Sequence, residues 1–230
     1  MATFLSLVND VERESGTVHQ TSRLTTVVDP IGRQEKIVEH VKEAWRLIQG
    51  SRNDWPWMRR TATRDLIINT ASYGAATFAA PITDFARWDR DGGRRTRSPI
   101  SIYDPAVGQQ EESEVFWLDY DHWSRMYDFG THDANRPVHY SIAPDRKLCL
   151  GPKPDKAYKL RAAYWCKPQE LVDDEDVPIC PDEHQPIIVW RALMLFAGHD
   201  EAAFSLADAQ TKFAARLRDL VGDRDDYMEP

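Results

Sequence analysis

From residue 54 to residue 179 the hydrophobic pattern breaks into short runs cut by glycine, proline and aspartate, while both flanks keep helical spacing. The runs 63–71, 75–78, 85–89, 99–103, 138–142, 147–150 and 158–165 read as short strands. Tyr73-Gly74, Asp91-Gly92-Gly93, Pro144-Asp145 and Gly151-Pro152-Lys153-Pro154-Asp155 separate them. One helix over 121–129 interrupts the strands, with Trp123, Met126 and Tyr127 expected inward and Gly130 as its stop. Strands this short and this regularly punctuated predict an antiparallel sheet or sandwich, and the Gly92-Gly93 pair reads as a hairpin turn.

The flanks are helical. Thr3 stands where an N-cap would, ahead of Leu7, Val8 and Val11, and Gly16 closes that segment. Ile37, Val38, Val41, Trp45 and Ile48 recur at helical spacing up to Gly50. Near the other end Pro181-Asp182-Glu183 opens a helix carrying Ile187, Trp190, Leu193, Met194 and Ala197, stopped by Gly198. Asp200 caps a further helix bearing Phe204, Leu206, Ala209, Phe213, Leu217 and Leu220, and the two predict an αα-hairpin. The fold class expected is therefore α+β. Residues 1–53 and 180–222 form a helical bundle, and 54–179 is an inserted β-rich domain. Residues 223–230 form an acidic, flexible tail after Gly222.

Composition narrows the function. Asp and Glu outnumber Lys and Arg by 37 to 29, a formal charge of −8, which disfavours gripping nucleic acid by counterion release. No apolar run approaches the ~20 residues that span a bilayer, and the start of the chain turns charged too early for a signal peptide. The expectation is a soluble protein made in a cytoplasm. Cys149, Cys166 and Cys180 are odd in number and widely spaced, so buried free thiols are expected rather than disulfides or a metal site.

Chemistry is sparsely signalled. His132-Asp133, His184 after Asp182-Glu183, and His199-Asp200 are acid–histidine neighbours, but each sits at a turn or cap, and capping accounts for them. No nucleophile elbow, phosphate loop, dinucleotide fingerprint or zinc-protease motif occurs, so neither an enzyme nor a cofactor is expected. The acidic run Asp173-Asp174-Glu175-Asp176 lacks the spaced ligands and glycine of a calcium loop.

Three groups have an interaction reading beside a structural one. Arg87, Arg90, Arg94, Arg95 and Arg97 crowd the Asp91-Gly92-Gly93 turn, either as contacts to phosphate or an acidic partner protein, or as charge that keeps a sheet edge soluble. Trp55 and Trp57, in the sequence Asp54-Trp55-Pro56-Trp57-Met58, serve core packing or an intersubunit contact. Asp225, Asp226, Tyr227, Met228 and Glu229 are plain terminal disorder or a segment that orders on a partner.

Over most of its length the chain resembles the head-to-tail adaptor family of short-tailed bacteriophages, the group that includes tail tubular protein A. The resemblance is carried by TFLSLVNDVERESG, KIVEHVKEAWRLIQ with NDWPWM, LDYDHWSRMYDFG, RPVHYSIAPD, LCLGPKPDKAYKLRAAYW and VPICPDEHQPIIVWRALM, in that order. It implies a non-enzymatic structural virion protein, a ring of usually twelve copies at the head–tail junction between portal and tail nozzle. The genome would pass through the lumen without specific binding, and the carboxy-terminal segment would reach the portal. The other reading is a nucleic-acid-binding accessory protein that uses the arginine-rich turn.

Overall fold

A computed structural model of the protein describes residues 1–16, 23–78, 82–90, 97–197 and 206–228, the last five by backbone alone. The chain divides into two compact units, Met1–Trp57 with Pro168–Glu229, and Met58–Lys167. The fold is α+β, with helices at both ends of the chain and two sheets inserted between them.

The helical unit contains α1 (Phe4–Ser15), α2 (Arg33–Gly50), α4 (Pro186–Ala197) and α5 (Leu206–Met228). Thr3 caps α1 as its position predicts, its hydroxyl oxygen accepting from the Ser6 N–H at 3.3 Å, and Gly16 ends it at φ 65°. Helix α4 is apolar almost all round, and it packs on α1, α2 and α5. Its Ile187, Ile188, Ala192, Leu193 and Phe196 meet Phe4, Leu7, Val8 and Val11 of α1 and Ile37, Val38, Val41 and Trp45 of α2 in the buried core.

Residues 168–179, which the strand pattern assigns to the β-rich region, belong with these helices. The reason is a set of side-chain amides. Gln49 accepts from the Gln169 N–H at 2.7 Å and donates to the Gln169 carbonyl at 3.0 Å. Gln169 in turn holds Val177 and Ile179. The acidic run is spent on backbone donors: the Asp174 carboxylate accepts from Val27, and the Asp176 carboxylate accepts from Val172 and Asp173. Helix α5 does not stop at Gly222 but continues to Met228. Gly222 has open space around it, and an exposed mid-helix glycine costs only about 1 kcal/mol, which is a weak terminator. Gly198, His199, Asp200 and Phe204, expected to shape the α4–α5 connection, lie outside the described residues.

The other unit is built on β9 (Lys159–Cys166). Along one side β1 (Arg59–Asp65) pairs with it antiparallel over seven residues. Along the other side lie β3 (Phe85–Trp88) and β4 (Ile100–Tyr103), both antiparallel to β9 and placed end to end. Asp91-Gly92-Gly93, read as a hairpin turn, lies outside the described residues; the flanking β3 and β4 each pair with β9. The short β5 (Ser113–Glu114) completes this sheet on β4.

The second sheet has the order β2 (Ser72–Tyr73), β8 (Leu148–Gly151), β7 (His139–Ile142), β6 (Phe116–Trp117). Val115, fully buried, is the residue at which the chain leaves the first sheet for the second. The β6–β7 pair is parallel, not antiparallel as the short spacing predicts. A parallel pair needs a long crossover, and the excursion through α3 (Tyr120–Trp123) supplies it. The helix expected over 121–129 is only one turn of α-helix followed by a wider π turn over Ser124–Asp128, closed by Phe129 N–H to the Ser124 carbonyl at 2.9 Å. The wider turn changes the angular spacing, so Trp123 is buried but Met126 is half exposed rather than inward. The expected strand over 75–78 is a 3₁₀ turn, Ala75–Thr77, and β1 begins and ends earlier than the run 63–71.

Candidate interaction sites

Alternation along β9 gives the first sheet two unlike faces. Leu160 and Ala162 are fully buried and match Ile100 and Ile102 on β4. Arg161 and Ala163 point the other way and share a face with Arg59 and Thr61 of β1, Ser101 of β4 and Glu114 of β5. On that face a polar recess of about 300 Å³ is bordered by Arg59, Arg97, Arg161, Ser101, Glu112 and Glu114.

The charges in and beside the recess are matched. Asp89, 5% exposed, accepts from Arg59 Nε at 2.6 Å and from Trp165 Nε1 at 3.0 Å. Arg161 lies 3.8 Å from Glu112. Arg97 lies 3.5 Å from Glu114, and its side chain is 84% exposed. Of the arginines singled out by sequence, Arg87 stacks over the Trp165 ring at 5.0 Å and Arg90 over the Trp117 ring at 5.1 Å. Arg94 and Arg95 lie outside the described residues. Sequence reasoning missed Arg59, Asp89 and Arg161. The signal for Arg161 was the alternation within Lys159-Leu160-Arg161-Ala162, whereas nothing local ties Asp89 to Arg59.

In the helical unit Trp55 is wholly buried, its indole donating to the Ile48 carbonyl at 3.1 Å and its ring stacked on Trp57 at 4.7 Å. This is the core-packing role. Trp57 instead borders a cavity of about 240 Å³ with Pro56, Pro181, Glu183, His184, Leu220 and Asp223. His184 is 5% exposed, and its Nε2 lies 2.6 Å from Oδ2 of Asp223 on α5. The partner is thus a residue 39 positions away, not the adjacent Asp182 or Glu183. Asp225, Asp226, Tyr227 and Met228 continue α5 by backbone, and Glu229 lies outside the described residues.

Among the described residues that border this cavity there is no serine, threonine or cysteine. Burial pushes the nearby Cys180 thiol up to about 12, which keeps it protonated at neutral pH. Burial and the Asp155 carboxylate, which accepts its hydroxyl at 2.8 Å, push Tyr158 up to about 12 as well. His132 Nε2 meets the Phe129 carbonyl at 2.8 Å, and His139 Nδ1 meets the Tyr127 hydroxyl at 2.8 Å. Among the described residues no helix is long and apolar enough to cross a membrane.

A polar sheet face with matched charges and a long, largely exposed final helix are the two extended surfaces among the described residues. No curated protein matches the chain. The SU10 adaptor protein family matches it over residues 2–230. On that near-complete match the chain belongs to the SU10 adaptor protein family, and it is a bacteriophage adaptor, a component of the virion.

Proposed function

We propose that this adaptor forms a closed ring, usually of twelve copies, between the portal and the tail nozzle, in the manner of the tail tubular protein A-like adaptors of short-tailed phages. The observation that carries the reading is the family match running from residue 2 to residue 230. Copies related by rotation need rigid subunits whose side-to-side contacts close after a fixed angle. Each of the two units buries its own core of aromatic and branched residues, which gives that rigidity. The net charge of −8 suits a lumen that lets DNA pass by repulsion. The role is structural, not enzymatic.

Helix α5 is the element we assign to the portal. Its 23 residues span about 34 Å at 1.5 Å per residue. Ala209 and Leu220 are buried and Phe213 and Leu217 partly so, leaving the other described positions of the helix largely open to a partner. Asp225, Asp226, Tyr227, Met228 and Glu229 at its end are the proposed portal contacts. Arg87, Arg90, Arg94, Arg95, Arg97 and Trp57 are kept as contacts to a neighbouring copy or the nozzle. Electron microscopy of the purified protein mixed with its cognate portal rings tests this directly. A new layer beneath each portal, counted by its symmetry, is the expected result; bare portals at high protein excess refute it.

A further inference from the structure

The 3₁₀ turn Asp182–His184 and helix α5 bring together three metal-ligating side chains that the adaptor role leaves unused. Glu183, His184 and Asp223 each offer one donor atom, and these atoms lie within 4.8 Å of one another. The histidine is buried, while both carboxylates are exposed, that of Asp223 hydrogen-bonded to the imidazole. Beside them opens the cavity of about 240 Å³ bordered by Pro56, Trp57 and Leu220. The Trp57 indole N–H is itself buried and has no acceptor among the described residues.

We propose that Glu183, His184 and Asp223 bind one divalent transition-metal ion, with Zn²⁺ the best match. One imidazole nitrogen and two carboxylates form a donor set that suits zinc, and their two negative charges balance the ion. Calcium and magnesium favour more oxygen ligands and gain little from an imidazole. A tetrahedral ion with bonds of about 2.0–2.2 Å spaces its ligand atoms ~3.3–3.6 Å apart. The donors reach that spacing by small carboxylate rotations around the fixed histidine. The cavity beside the three donors leaves room for water or a small ligand in the coordination position that the protein does not fill.

The bound ion cross-links the turn before α4 to the last turns of α5, two places 39 residues apart. Its stabilisation grows with metal concentration, because the ion binds the folded chain and the unfolded chain holds no such site. The inference concerns the chain by itself and does not depend on the ring.

The test uses the full, untagged chain stripped with EDTA. Cobalt titration followed by its visible d–d bands, zinc competition and thermal melts with and without Zn²⁺ are the readouts. One-to-one binding and a zinc-dependent rise in Tm are expected. Glu183→Gln keeps the His184–Asp223 hydrogen bond and the metal-free Tm. It weakens zinc binding by more than the roughly 10–100-fold that loss of an outer-shell partner costs. His184→Ala removes binding altogether, and if that variant fails to fold, Glu183→Gln decides alone. Absence of a zinc-dependent Tm shift in the wild type overturns the proposal. So does equal zinc affinity in the wild type and Glu183→Gln, which would mean binding at surface carboxylates elsewhere.

Discussion

The ring of Tyr127 lies directly over Gly151, so near that a Cβ on that glycine would stand 2.6 Å from Tyr127 Cγ. The π turn sets the ring there, and its hydroxyl meets Nδ1 of His139, the residue opposite Gly151 in the β7–β8 ladder. Gly151→Ala therefore forces the ring aside and breaks the hydrogen bond. Overpacking of this kind costs about 1–3 kcal/mol. In urea denaturation the midpoint should fall with the slope unchanged; an unshifted midpoint would show that the turn yields freely.

Asp89 joins three strands through its carboxylate, accepting from Arg59 on β1 and Trp165 on β9 while following β3. Asp89→Ala leaves the buried Trp165 indole N–H without an acceptor, a loss of about 1–3 kcal/mol. Asp89→Asn keeps one acceptor oxygen and should lose less. Chemical denaturation of both variants checks the ordering, and equal losses would point to backbone distortion instead.

Burial raises all three thiols, with Cys180 reaching about 12. An unfolded cysteine titrates near ~8.5, so between that pH and about 12 the unfolded chain binds fewer protons than the native one. Stability therefore falls as pH rises through that window and is flat below it with respect to this group. Denaturation midpoints measured from pH ~7 to pH ~10 should decline on the alkaline side. Native protein should also resist iodoacetamide at pH ~8 while the unfolded chain reacts. Rapid native labelling of Cys180 would contradict its burial.

Removing residues 224–230 keeps Asp223 and the buried stripe of α5, so the truncated chain should melt within a few degrees of wild type. Under the portal reading it should no longer decorate portal rings at concentrations where the full chain does. Undiminished decoration would move the portal contact off this segment.

Replacing Arg94, Arg95 and Arg97 together with alanine separates the two readings of the arginine turn. Arg97 pairs with Glu114 at 3.5 Å from a largely exposed position, and such surface pairs contribute about 0–1 kcal/mol, so folding should be kept. The adaptor reading expects no DNA retention in either protein at low salt. Salt-sensitive retention by the wild type, lost in the triple variant, would favour a DNA-binding accessory.

Local features of the sequence determined the ends of α1, the buried side of α2 and the composition of the cores. Thr3 and Gly16 bound α1, the spacing from Ile37 to Ile48 defines the buried side of α2, and the alternation within 159–163 separates the two faces of β9. These depend on residues a turn or a pleat apart, which the sequence displays directly. Tertiary structure alone decided that β3 and β4 share β9, that β6 and β7 run parallel and that 168–179 pack with the helices. It also decided that α5 passes Gly222 and that His184 meets Asp223 instead of its neighbours. Strand partners and distant side-chain pairs are chosen by competition among many contacts of similar local cost. The winner is set by which arrangement buries the aromatic residues and satisfies the amides together, a long-range condition that no short window of sequence contains.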